Sequence, residues 1–189
     1  MLIDRAATAV SVAIVGGTRT FGKSPLFRDL HLALAAGTWT CLLGPSGVGK
    51  TSLIKLILEA TRPRAGPGDG GSVRCGDGHP LRGRVAYMAQ RDLLLPWLSV
   101  LDNVLLGRRL RRETIDAAVK GRAAALIAAV GLSEASELRP DALSGGMRQR
   151  AALARTLFED RPVVLMDEPF SAVDAITRVR LQELAARLL

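Results

Sequence analysis

Residues 44–51 read Gly44-Pro45-Ser46-Gly47-Val48-Gly49-Lys50-Thr51, and this stretch decides the fold. An apolar run at residues 39–43 precedes it and predicts a strand, and residues 51–60 repeat apolar side chains at helical spacing. Glycine-rich backbone between a strand and a helix turns its N–H groups towards an anion, and the helix N-terminus adds positive potential. The stretch therefore predicts a phosphate-binding loop for a nucleoside triphosphate.

Lys50 is expected to neutralise the β and γ phosphates, and the Thr51 hydroxyl to hold Mg²⁺ against them. By itself the loop specifies nucleoside triphosphate binding and no particular reaction. The predicted nucleotide-binding residues of this segment are Gly44, Pro45, Ser46, Gly47, Val48, Gly49, Lys50, Thr51 and Ser52.

A second motif joins two carboxylates to a fully apolar strand. Residues 163–166 read Val-Val-Leu-Met and are followed by Asp167 and Glu168. Strands of this kind end at the sheet edge where ligands bind, so Asp167 is expected at Thr51 or at water on Mg²⁺. Alternation along a strand points Glu168 elsewhere, where it would act as general base on the attacking water. The alternative is a solvated acidic turn.

A third motif, Leu143-Ser144-Gly145-Gly146-Met147-Arg148-Gln149, places a hydroxyl and two glycines at a predicted helix N-terminus. We predict that Ser144, Gly145 and Gly146 face a phosphate. Two phosphate-directed helix ends in one chain are explained if a head-to-tail pair of subunits lets each serve a different face of a nucleotide.

Together these motifs resemble those of the ATP-binding-cassette (ABC) ATPases, which also carry a glutamine loop like Tyr87-Met88-Ala89-Gln90 here. The resemblance implies ATP and Mg²⁺ as ligands, with Gln90 at Mg²⁺ or at the attacking water. It also implies that the loop ending in Asp174 crosses the dimer interface and that Phe21 stacks on adenine. For Phe21 a core anchor is an equal alternative, and Phe27 is another candidate for the stacking.

Within that family, residues 92–100 followed by Asn103-Val104 resemble importers of nitrate, sulfonates, taurine and pyrimidine precursors. The resemblance implies a second copy of the chain, a transmembrane permease and, indirectly, a solute-binding protein as partners. It places the chain at the cytoplasmic face of the inner membrane. The proline-broken apolar stretch predicts a groove for a short permease helix, with ordinary core packing as the alternative.

The predicted fold is α/β, a P-loop nucleoside triphosphatase with a mainly parallel core sheet. Strands around residues 11–15 and 26–35, separated by a turn at Gly16-Gly17, predict an antiparallel N-terminal layer. Residues 62–80 predict a loop or an irregular hairpin, and residues 115–130 and those from 144 onwards predict helices. A helical subdomain is expected at about 91–158. Residues 1–189 are interpreted as one domain.

Composition supports a single core, and the positive net charge by itself would permit binding to nucleic acid or to anionic lipid. The chain has 189 residues, 48% of them hydrophobic, and a net charge of +8. The cluster Arg108, Arg109, Arg111 and Arg112 lacks the interleaved aromatic residues that stack on bases, which favours a solvated face near lipid headgroups. Two cysteines fit a reducing compartment.

One family feature has no counterpart here. Relatives carry a switch histidine beyond the interface loop, whereas His31 and His79 both lie upstream. We therefore expect a C-terminally truncated chain that lacks its last strands, with apolar surface exposed on the final helix and hydrolysis impaired. The rival hypotheses are a non-transport ABC ATPase acting on nucleic acid or ribosomes, and an inactive fragment.

Overall fold

The computed structural model describes residues 9–22, 24–61 and 71–188. Its strands are β1 (Val12–Phe21), β2 (Ser24–Leu34), β3 (Ser72–Cys75), β4 (Val85–Met88) and β5 (Val163–Met166). Its α-helices are α1 (Lys50–Glu59), α2 (Val100–Val104), α3 (Leu106–Leu110), α4 (Ala117–Ala129), α5 (Gly145–Phe158) and α6 (Ala175–Leu188). The predicted α/β class is confirmed.

The N-terminal strands form an antiparallel sheet in the order β2-β1-β3, which confirms the predicted layer. The predicted turn at Gly16-Gly17 is wrong. These residues lie inside β1, at a register shift between Ile14 and Gly17, because Gly16 adopts φ 67 and lets the strand bulge and continue. Residues 62–80 were predicted as a loop or irregular hairpin without a regular element, but β3 lies within them because its backbone pairs with that of β1. Residues 62–70 lie outside the described residues.

Helix α1 packs on this sheet at Gly17. A Cβ added there would lie 2.8 Å from Ile14 Cγ2 and 3.2 Å from Leu56 Cδ2, so glycine permits the close approach. Arg19 and Glu59 add a two-pronged ion pair at 2.6 and 2.7 Å between β1 and the last residue of α1. These contacts hold the helix that follows the phosphate-binding loop.

The strand predicted at residues 39–43 is not formed. Residues 38–44 have no regular structure, and Trp39 and Leu43 are 54% and 87% exposed. A strand requires a neighbour that completes its backbone hydrogen bonds, and an apolar run cannot supply one. The other predicted core strands are present as β4 and β5.

The chain divides into two compact units. Unit 1 comprises residues 1–85 and 161–167, and unit 2 comprises residues 86–160 and 168–189. The core of unit 2 is helical, and α5 passes through it with Ala151, Leu153 and Ala154 fully buried. The interpretation of residues 1–189 as one domain, with a helical subdomain at about 91–158, stays a prediction.

The helix predicted at residues 115–130 is present as α4, and the helix predicted from residue 144 onwards is present as α5, whereas α2 and α3 were not predicted. The Asp116 carboxylate accepts a 2.8 Å hydrogen bond from Val119 N at the start of α4, and Gly131 at φ 71 follows its end. Helix α6 buries Leu181 and Leu184 but exposes Ile176 and Val179, in agreement with the expected apolar surface.

Three arginines of the cluster at residues 108–112 form ion pairs within unit 2. Arg108 lies 3.5 Å from Glu113, Arg109 pairs with Asp102, and Arg111 Nη1 lies 2.7 Å from Glu159. Much of this positive charge is therefore compensated locally. Among the described residues, no helix combines the length and apolar character that crossing a bilayer requires.

Candidate functional site

The predicted phosphate-binding loop of unit 1, residues 44–51, is largely exposed and carries glycines in conformations that other residues rarely adopt. Gly47 and Gly49 have φ of 82 and 107, and Gly49 immediately precedes α1. Lys50 Nζ donates to the carbonyl oxygens of Gly44 and Pro45 at 2.8 and 2.9 Å, so the ammonium lies over its own loop. Positive charge and exposed backbone are thus concentrated at one helix N-terminus, a geometry suited to phosphate.

Thr51 and Asp167, separated by 116 residues in sequence, meet in unit 1. The Thr51 hydroxyl donates to Asp167 Oδ1 at 3.1 Å, and Asp167 is only 4% exposed at the end of β5. A hydroxyl and a carboxylate are hard oxygen ligands of the kind Mg²⁺ takes beside phosphates. The pair therefore fits the predicted metal position.

Glu168 and Gln90 meet in unit 2. Gln90 Nε2 donates to Glu168 Oε2 at 3.1 Å, and Glu168 is exposed. Strand alternation, from which the different directions of Asp167 and Glu168 were predicted, does not extend to Glu168. Its φ of 50 is left-handed and lies outside the strand region. The left-handed turn at Glu168, and not strand alternation, therefore sets the environment of its carboxylate.

Ser144, Gly145 and Gly146 lie at the beginning of α5, as predicted. Ser144 Oγ accepts from Met147 N at 3.2 Å, which makes it the N-cap of the helix. A Cβ at Gly146 would lie 3.1 Å from the carbonyl oxygen of Ala172, so the first turn of α5 packs directly on that residue.

Asp174, predicted to act at a dimer interface, caps α6. Its carboxylate accepts from Thr177 N at 2.9 Å, and this backbone hydrogen bond is the main cause of the lowered pKa of Asp174. The residue is exposed, and its predicted role at the interface stays a prediction.

Phe21 is 79% exposed at the end of β1, so the core-anchor interpretation of this residue is wrong. Adenine stacking by Phe21 stays a prediction. Phe27 is half-buried, and its Cδ1 lies 3.9 Å from where a Cβ would stand on Gly49, which places its ring beside the phosphate-binding loop.

Sequence reasoning assigned no role to Gln149, although the residue lies within the third motif. It is 6% exposed, and its side chain bonds to Glu168 O, Ser171 Oγ and Ala172 N. The sequence offered one signal for this role: Gln149 is polar but lies four residues before Leu153, which places both on the same face of α5.

The segment after Gln90 exposes apolar side chains on a firmly held backbone. Leu93 and Trp97 are 60% and 64% exposed. Arg155 donates to the carbonyl oxygens of Asp92 and Leu93 at 2.6 and 2.8 Å, and burial lowers the pKa of this guanidinium. The fully buried Asn103 bonds to the backbone of residues 95–99. The segment is therefore a preformed surface of unit 2.

Comparison with known proteins gives one consistent result. The family described as ABC transporter matches residues 27–171. An aliphatic sulfonates import ATP-binding protein of Rhodococcus jostii is 40% identical over 97% of this chain and 70% of the relative. Its namesake in Delftia acidovorans is 40% identical over 98% and 71%. The ATP-binding cassette MJ0796, solved as a dimer in a post-hydrolysis state with ADP and Pi, is similar with a TM-score of 0.78 and 25% identity, covering 92% of this chain and 81% of that one.

Proposed function

The chain belongs to the ABC transporter family, and we propose that it hydrolyses ATP with Mg²⁺ to drive uptake of a solute through a membrane permease. The single observation that carries the proposal is the 3.1 Å contact between Thr51 and Asp167. It joins the phosphate-binding loop to the acidic end of β5, which is the pairing that metal-assisted phosphoryl transfer requires.

ATP is the substrate, and the loop at residues 44–52 binds its phosphates through backbone N–H groups, with Lys50 compensating their charge. Thr51 and Asp167 would hold Mg²⁺, with Gln90 as a further predicted contact. When bound, the metal supplies charge neutralisation to the phosphates. The contribution of the protein is to present both oxygen ligands beside the loop.

Glu168 is the proposed general base. Its carboxylate is exposed, so water can reach it, and the amide of Gln90 orients one of its oxygens. The carboxylate takes a proton from the water that attacks the γ-phosphate. The bond between the γ-phosphorus and its bridging oxygen breaks, and ADP and phosphate leave.

A second copy of the chain completes each nucleotide site in the proposal. The N-terminus of α5, with the exposed Ser144 and Gly145 and the half-buried Gly146, faces the ATP bound by the partner's loop, and Asp174 lies near the interface. The dimeric state of the cassette MJ0796 supports this arrangement.

The proposed permease contact is the surface formed by Leu93 and Trp97, exposed apolar side chains on a backbone held by Arg155 and Asn103. A short amphipathic helix of the permease would bury them. The names of the relatives make an aliphatic sulfonate, delivered by a solute-binding protein, the first solute to test. The chain would then act at the cytoplasmic face of the inner membrane.

The first experiment measures phosphate release by the purified chain with Mg²⁺ and ATP. Glu168→Gln is expected to reduce turnover by about 10²-fold or more while ATP binding persists. Lys50→Ala is expected to weaken ATP binding itself. Glu137→Gln, which alters another exposed carboxylate of unit 2, is the matched control and should behave as the unsubstituted chain. Equal turnover in Glu168→Gln would refute the assignment of the base.

Two further measurements separate the proposal from its rivals. ATP-dependent dimerisation of the Glu168→Gln variant, followed by analytical ultracentrifugation, would exclude an inactive fragment. Uptake of a labelled aliphatic sulfonate by cells lacking this gene should return with the unsubstituted chain and not with Glu168→Gln. Uptake restored equally by both chains would contradict coupling to transport.

A further inference from the structure

Gln149 connects helix α5 to two successive turns of unit 2. Its Nε2 donates to the carbonyl oxygen of Glu168 and to Ser171 Oγ, both at 3.1 Å. Its Oε1 accepts from the backbone N–H of Ala172 at 2.8 Å. At 6% exposure these bonds are shielded from water, so each has a large effect on where its partner lies.

The backbone of Glu168 needs such support. A non-glycine residue rarely adopts the left-handed φ of 50 seen there, and it stays in that conformation only where its surroundings impose it. The Glu168 carbonyl oxygen accepts from Ser171 N at 3.3 Å as well as from Gln149. The carboxylate of the same residue is held by Gln90, so backbone and side chain have separate restraints.

Ala172, in the turn that follows Ser171, also contacts the beginning of α5. Gly146 packs closely on the carbonyl oxygen of Ala172, which would lie 3.1 Å from an added Cβ. Gln149 lies one helical turn further along α5 and binds the N–H of Ala172. Two positions on α5 thus contact the N–H and the carbonyl oxygen of the same loop residue.

We propose that Gln149 is a positioning residue that ties the backbone of Glu168 and of residues 171–172 to α5. This inference rests on the proposed function, in which α5 faces the nucleotide of a second copy and Glu168 is the general base. The position of the Glu168 carboxylate then depends on the position of α5. A change at Gln149 therefore lowers the rate of the chemical step rather than the affinity for ATP.

The test uses two substitutions of the full chain. Gln149→Met keeps the length of the side chain and removes all three hydrogen bonds, whereas Gln149→Glu keeps an acceptor for Ala172 N and removes the donor to Glu168 O. The matched control is Thr156→Val, a shape-conserving change at 4% exposure on the same helix, where the hydroxyl bonds within the helix to Ala152 O. Thermal unfolding of all variants establishes that they are folded.

We expect kcat to fall at least about tenfold in both Gln149 variants, with KM for ATP within about threefold of the unsubstituted value. Thr156→Val should change neither. Because Gln149 acts through Glu168, adding Gln149→Met to Glu168→Gln should lower the residual turnover no further. A kcat unchanged in folded Gln149→Met, or a full additional loss in the double variant, would overturn the inference.

Amide hydrogen exchange at Ala172 tests the tether without any turnover. Gln149→Met should exchange this amide at least about tenfold faster, and Thr156→Val should leave it unchanged. Unchanged protection of Ala172 in Gln149→Met would overturn the tether. An unsubstituted chain that releases no phosphate would contradict the proposed function, while faster exchange at Ala172 would still support the tether.

Discussion

Replacing Asn103 with leucine is expected to destabilise unit 2 because this side chain organises the segment at residues 95–99. Asn103 is fully buried. Its Oδ1 accepts from Leu95 N at 2.8 Å, and its Nδ2 donates to the carbonyl oxygens of Leu95, Leu98 and Ser99 at 3.2, 3.2 and 3.0 Å. Leucine has a similar size, so the change removes hydrogen bonds without opening a large cavity.

The magnitude follows from which backbone groups lose their partner. The Leu95 carbonyl also accepts from Leu98 N at 3.1 Å, and the Ser99 carbonyl from Asn103 N at 2.9 Å, so both keep a bond. Leu95 N and Leu98 O lose the bond to Asn103. An unsatisfied buried group costs about 1–3 kcal/mol. Leu95 and Leu98 are half-buried, so the lower half of that range applies, and the two groups give about 2–4 kcal/mol.

The free energy of unfolding is measured in urea, together with amide exchange at Leu95. The control is Asp102→Asn, which weakens a partly exposed pair with Arg109 and is expected to cost less than about 1 kcal/mol. A loss below about 1 kcal/mol in Asn103→Leu, with the Leu95 amide as protected as before, would refute the reasoning.

Three further predictions concern unit 1. Gly17→Val places Cβ against a side chain at 2.8 Å and is expected to destabilise the chain by about 1–3 kcal/mol, measured by urea unfolding. The hydrogen bond from Arg84 lowers the pKa of Asp77 from 3.8 to about 2, so its stabilisation is present above pH 3.8 and is lost as pH falls through 2. The thermal midpoint of Asp77→Asn should therefore lie below that of the unsubstituted chain at pH 7 and converge with it towards pH 2. Phe21→Ala should weaken ATP binding roughly tenfold by equilibrium titration; an unchanged affinity, with loss in Phe27→Ala, would transfer the stacking to Phe27.

Most of the secondary structure follows from local pattern. The spacing of apolar residues predicted α1 and the helix at residues 115–130, and Ser144 predicted where α5 begins, because a cap satisfies the free N–H groups of its own helix. Residues 39–43 show the limit of such patterns. A strand forms only if another backbone lies beside it, and nothing in those five residues reports whether one does.

The candidate site likewise has features that follow from local sequence and features that depend on tertiary packing. The amino-acid sequence by itself determined the phosphate-binding loop, the acidic pair at residues 167–168 and the capped start of α5, since each is a contiguous run whose chemistry depends on near neighbours. Only the tertiary structure decided that Thr51 bonds to Asp167, that Glu168 leaves the strand at φ 50, and that Gln149 holds its backbone. These contacts join residues 116 and 19 positions apart, and chain packing alone brings such groups to within 3.1 Å.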